Sequence, residues 1–158
     1  MALPKPEELG DPDLRIDGLQ IWVHGYQFPD STDYWDGNWL RVTAHCGAAG
    51  ASVWASGAIL MVSDIVGFAD RCDDLREKRA EAAELKPLEP ELKVLIRPID
   101  RFGHLSVTVH ITPEHLTQSH SFEYGIDQTY LPEISGMCRK IVRAYPLRGD
   151  VSRRGPSR

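Results

Sequence analysis

The chain has 158 residues, 42% hydrophobic and 26% charged, with a formal net charge of −5. That size is one domain, and at this length a core forms without disulfides or metal. No apolar run approaches the ~20 residues of a membrane-spanning helix. The charge is uneven: the arginines at 148, 153, 154 and 158 face only Asp150, leaving 14 basic and 22 acidic residues before them, a net of −8. An acidic body argues against nucleic-acid binding, which needs a basic face.

The first eight residues lack the apolar stretch of a signal peptide, so the cytoplasm is the expected location. Cys46, Cys72 and Cys138 form no CxxC pair and read as small buried hydrophobes. Residues 1–13, rich in proline and acid, are expected to be a flexible lead. Residues 14–148 are expected to form a single domain, and 149–158 a disordered basic tail.

In chain order, Leu14–Ile16 and Leu19–Phe28 read as strands around the Asp17-Gly18 turn. Trp39–His45 alternates as a third strand, and Ser52–Met61 is a fourth. A helix follows from a Ser63 cap to about Leu85. It buries Ile65, Phe68, Ala69, Cys72, Leu75, Ala82 and Ala83, and Pro87 and Pro90 end it. Three alternating strands come next, at Leu92–Ile96, His104–Thr112 and His120–Ile126. A last helix runs from Leu131 to Tyr145 behind Pro132, its cap expected at Asp127 or Thr129. Short turns imply antiparallel pairing. The expectation is an α+β fold: one antiparallel sheet of about seven strands, with two helices packed on one face.

His110 and His120 flank a hairpin and invite a metal reading. Burying Val107 and Val109 beside Tyr124 and Phe122 forces partners whose numbers sum to 231. His110 then faces Ser121, and His120 lies beside Ile111 on the other face, so the two cannot share a zinc. No HExxH, GxSxG, P-loop, Gly-rich phosphate loop or EF-hand spacing occurs. No cofactor is expected, and no catalytic residue is nominated.

Two segments stand out. On the expected 63–85 helix, Asp70, Asp74, Glu77, Glu81 and Glu84 fall within about 40° of one line, opposite Phe68, Cys72 and Leu75. Asp70/Asp74 and Glu77/Glu81 are like-charged i,i+4 pairs, which cost a helix a few tenths of a kcal/mol each. Flanking Arg71, Arg76, Lys78 and Arg79 soften that cost. The stripe is either a solvated face or a docking surface for a basic protein. The second segment is Asp33 to Leu40, where Tyr34, Trp35 and Trp39 interleave with Asp36, Gly37 and Asn38. It is either a structural turn with inward tryptophans or an aromatic anchor at Tyr34, Trp35 and Asp36. Trp39, on a strand, is the stronger core candidate.

The string Tyr34-Trp35-Asp36-Gly37-Asn38-Trp39-Leu40 resembles the Trp-Asp-x-Asn-Trp-Leu motif of small bacterial WapI-type immunity proteins. Leu88-Glu89-Pro90-Glu91-Leu92, Gly103-His104 and Asp127-Gln128-Thr129-Tyr130-Leu131 resemble the same pattern in the same order, over roughly 14–148. The resemblance implies a non-catalytic protein that binds and neutralises a toxin, for the WapI type an RNA-cleaving enzyme. An acidic inhibitor face suits a basic nuclease. Two other readings stay open. One is a ligand-binding domain or enzyme with a pocket walled by Tyr124, Tyr130 and tryptophans. The other is a homo-oligomer.

Overall fold

The computed structural model describes residues 5–149. Eight strands form two four-stranded antiparallel meanders, ordered β1-β2-β3-β4 and β5-β6-β7-β8. The first holds β1 (Leu14–Ile16), β2 (Leu19–Tyr26), β3 (Trp39–Ala48) and β4 (Ala51–Met61); the second holds β5 (Ala83–Leu85), β6 (Leu92–Pro98), β7 (His104–Ile111) and β8 (Ser121–Asp127). A one-turn helix α1 (Tyr34–Gly37) precedes β3, α2 (Val62–Arg76) joins the sheets, and α3 (Leu131–Ala144) is the last helix among the described residues. The α+β expectation holds, but one sheet becomes two. Alternation and short turns fix local hairpins; they carry no information on whether distant strands pair.

The strands form where apolar residues alternate. Leu92, Val94 and Ile96 on β6 and Leu105, Val107, Val109 and Ile111 on β7 are all buried. The β7–β8 register pairs Val107 with Tyr124, Val109 with Phe122 and His110 with Ser121, as the burial argument requires. His110 and His120 therefore project to opposite faces, and among the described residues no three potential ligands cluster.

α2 and α3 pack on each other; α2 also touches β4 and β5, and α3 touches β1. One apolar cluster runs through both sheets and both helices. Cys46, Cys72 and Cys138 are fully buried within it, and burial pushes the Cys72 and Cys138 thiols up to about 12. No helix among the described residues is long and apolar enough to cross a membrane.

The sheets are joined where β3 meets β8. Tyr124 Oη donates to the Gly47 carbonyl at 2.7 Å and lies 3.1 Å from Cys46 Sγ. Burial pushes the phenol's pKa upward. Gly18 is required beneath it, because a Cβ there would lie 2.3 Å from both Tyr124 Oη and the Gly47 oxygen.

The expected Ser63–Leu85 helix is overturned at both ends. At its start Met61, not Ser63, is the N-cap: Asp64 accepts the Met61 N–H at 2.8 Å, and the Val62 N–H reaches the Asn38 carbonyl at 2.8 Å. At its end Lys78 adopts φ +60. The Arg79 N–H returns to the Asp74 carbonyl at 2.8 Å and the Lys78 N–H to the Leu75 carbonyl at 3.2 Å. Those two bonds are the Schellman stop, here with lysine where glycine is usual. Beyond it Ala83 and Leu85 alternate on β5 against Ile96 and Val94 of β6, so pairing overrides their helical propensity.

Gly10 and Asp13, ahead of β1, bond to β2 of the first sheet. The Trp22 indole donates to the Gly10 carbonyl at 3.0 Å, and Asp13 accepts the Val23 N–H at 2.7 Å. The expected disordered tail, apart from Gly149, lies outside the described residues, as do residues 1–4 of the expected lead.

A lysine in the left-handed region costs about 1–2 kcal/mol. Lys78→Gly is therefore expected to raise unfolding stability by about 0.5–1 kcal/mol, read from urea denaturation at unchanged m-value. A loss of stability would show that the Lys78 side chain contributes more than its backbone strain costs.

Candidate functional site

The helix stop redistributes the five carboxylates of the expected stripe. Asp70 and Asp74 remain on α2, and Glu77 is its C-cap. Glu81 lies in the reversal after the helix, and Glu84 is on β5. β5 stays beside α2, because Arg71 Nε donates to the Glu84 carbonyl at 2.8 Å. The acids thus occupy a helix end and the strand folded back against it, rather than one helical line.

Arginines of the chain engage three of them, Asp70, Asp74 and Glu77. Asp74 pairs with Arg79 at 2.9 Å and Glu77 with Arg76 at 2.9 Å. Asp70 lies 3.3 Å from Arg139 of α3, which also grips Asp73. Partial burial works against ionisation of Asp73, but Arg139 outweighs it and holds the carboxyl below its usual value; Asp73 in turn raises Arg139. Asp73 and Arg139 went unnoticed in the sequence because their link joins two helices far apart in the chain. The surface is a mixed-charge network, and solvent-exposed pairs of this kind contribute only ~0–1 kcal/mol each.

The Tyr34–Leu40 segment is chiefly a structural joint. Asp33 caps α1, its carboxylate accepting the Trp35 and Asp36 N–H groups at 3.1 and 3.0 Å. Asn38 is fully buried. Its Nδ2 donates to the Tyr34 and Arg148 carbonyls at 2.7 and 2.9 Å, and its Oδ1 accepts the Arg148 N–H at 2.8 Å. Arg148, the last residue of the expected domain, is bonded on both its main-chain and side-chain groups. Its guanidinium lies 3.4 Å over the Tyr26 ring and donates to the Phe28 and Ser31 carbonyls. Gly149, at φ +72, passes so close that a Cβ would lie 2.7 Å from the Tyr34 nitrogen. Trp39 is half-buried, whereas Trp35 is 41% exposed and meets Tyr34 edge-to-face at 5.1 Å.

Asp127 caps the turn leading into α3, accepting the Thr129 N–H at 2.9 Å. On the β6–β7 turn, Asp100 takes the Phe102 N–H at 2.7 Å and His104 Nδ1 at 2.7 Å. Their bond raises His104 and lowers Asp100 from their ordinary values. Phe102, at the tip, is 76% exposed.

Two clefts among the described residues bear on the expected pocket. One of about 340 Å³ lies among β1, β8 and α3. The other, about 280 Å³, lies between the end of α2 and the β6–β7 turn, and takes in Glu81, Asp100 and Arg101. Tyr130 lines the first, but Tyr124 bridges the sheets and no tryptophan lines either cleft, so the expected aromatic-walled pocket does not form there.

These features define an α+β protein whose sequence motifs build joints and whose charged and aromatic residues crowd its surface. The chain matches the family model of the WapI-like immunity proteins over residues 13–146, and it belongs to that family. Among curated proteins no relative matches it.

His104's contribution to stability is complete below its unfolded pKa and fades as pH rises through its raised folded pKa. Asp100's is present above its unfolded pKa and fades as pH falls through its lowered one. In an NMR titration His104 is expected to have a midpoint above 6.5, and Asp100→Asn to bring it back toward that value. An unchanged midpoint in the variant would contradict the pairing.

Proposed function

We propose that this chain is an immunity protein that binds a protein toxin stoichiometrically and blocks it without catalysis of its own. The observation that carries the reading is the family match across residues 13–146, which takes in both sheets and all three helices. The proposed place of action is the cytoplasm, and the proposed toxin is a basic nuclease.

The proposed contact surface is the carboxylate group at the end of α2, namely Asp70, Asp74, Glu77, Glu81 and Glu84, with Tyr34, Trp35 and Asp36 as a second contact. Asp70, Glu77 and Glu81 are exposed, and Asp74 and Glu84 half-buried. Their arginine partners supply a physical mechanism. At Asp70, Asp74 and Glu77 a basic toxin competes with Arg139, Arg79 and Arg76 for carboxylates already held in place, so little side-chain order is lost there on binding. The exchange of weak surface pairs for interfacial ones is salt-sensitive and acts mainly on association rate.

The test is titration of the purified chain against a candidate toxin domain, taken from any secreted-toxin gene found beside its own. A 1:1 complex with loss of nuclease activity is expected. Reversing Asp74, Glu77 and Glu81 to Lys should weaken binding by about 100-fold and flatten its salt dependence, with thermal stability nearly unchanged. Unchanged affinity would remove the carboxylates from the interface. A toxin indifferent to the wild-type chain would refute the immunity reading itself.

A further inference from the structure

The 340 Å³ cleft lies where two sheet ends come together. Its walls include Arg15, Ile16 and Asp17 at β1 and Gly125 and Ile126 on β8, and α3 supplies Glu133, Ile134 and Met137. β1 and β8 are the end strands of their sheets, so each has one side without a strand partner.

The direction of the peptide groups on β8 follows from two bonds. The Ile111 N–H reaches the His120 carbonyl, and the Gln128 N–H reaches the Gly103 carbonyl. Even-numbered residues of β8 therefore bond toward β7. Antiparallel alternation turns the N–H and C=O of Glu123 and Gly125 to the open side. Gly125 is itself exposed, and a Cβ there would meet nothing within 4 Å on the sheet face. On β1 the Ile16–Leu19 pair closes the two-residue hairpin, so by the same alternation Arg15 turns its peptide groups away from β2.

The cleft also selects by chemistry. Ile126, Ile134 and Met137 offer an apolar surface, while Asp17 and Glu133 outnumber Arg15 at the rim and Glu123 is exposed along the edge. That combination fits an extended segment with an apolar side chain and at least one lysine or arginine. A second copy of this chain fits poorly. Antiparallel self-pairing centred on Gly125 would set Glu123 of each copy opposite Asp127 of the other, and like charges directly opposite are unfavourable.

We propose that an extended, basic segment of the toxin adds to the β8 edge in this cleft, bonding the Gly125 peptide and laying an apolar side chain against Ile126 and Met137. This rests on the immunity reading and adds the mode of capture. Main-chain bonds would supply affinity and the cleft side chains specificity.

The experiment is hydrogen exchange of the full chain, alone and with the toxin domain, beside binding of two variants. Gly125→Pro removes the outward N–H, at an edge position where proline is tolerated; Gly125→Ala places its methyl in open space. Slowed exchange across 121–127 and 14–17 in the complex is expected, with Gly125→Pro binding at least about tenfold more weakly at unchanged helicity and melting. Should Gly125→Pro fail to fold, Glu123→Lys with Glu133→Lys reads the same edge: weakened binding supports the proposal and wild-type binding overturns it. A complex that forms with full affinity in Gly125→Pro, and with protection confined elsewhere, overturns it while leaving the immunity reading intact. Concentration-dependent protection of β8 in the chain alone makes the occupant a second copy and overturns it as well. Absence of any complex with the wild-type chain refutes the immunity reading, a result distinct from all of these.

Discussion

One buried amide organises the half of the molecule on which the family motif falls. Asn38 sits between α1 and β3 with no solvent exposure. Its side chain holds the last turn of α1 and both main-chain groups of Arg148, while its own carbonyl receives the first N–H of α2. A buried amide whose donors and acceptor are all met contributes about 1 kcal/mol per bond; orphaning its partners costs about 1–3 kcal/mol each. Shape alone could not replace it, since an apolar side chain of that size would strand the peptide groups of Arg148. The same contact sets the end of the fold. With Arg148 anchored, its guanidinium covers Tyr26, the Tyr26 hydroxyl reaches the Pro146 carbonyl at 2.6 Å, and Tyr145 meets the Tyr26 ring edge-on.

The parts of the fold legible in the sequence were those governed by short range. Leucine and valine alternation placed β6 and β7, and the demand that one face be buried was enough to set the β7–β8 register to the residue. Two errors came from long range. Ala82 and Ala83 continue the helical period of α2, but a lysine in a left-handed conformation stops the helix and β6 recruits Ala83 into a strand. The way the two sheets meet depends on Tyr124 reaching Gly47 from a strand many residues away, and no local pattern reports that.

The candidate site shows the same division. Asn38 was visible as part of the turn segment 33–40, and its distant partner Arg148 carried no sequence signal of the contact. The carboxylates at the end of α2 were visible as an excess of acid. The pairing of Asp70 and Asp73 with Arg139 was not, because that arginine belongs to α3. The result is a surface where charge is organised more than accumulated. Alongside it lies an open β8 edge whose backbone, rather than any side-chain motif, is the feature offered to a partner. Sequence reading is blind to such an edge, since the peptide groups are the same in every strand.

Native-state hydrogen exchange at the Arg148 amide tests the Asn38 joint most directly. With Asn38 intact that amide should exchange as slowly as core amides of β3. Asn38→Ala should release it, and the Val62 amide with it, while amides of β7 keep their protection. An Arg148 amide that exchanges at unfolded-chain rates in the wild-type protein would contradict the account.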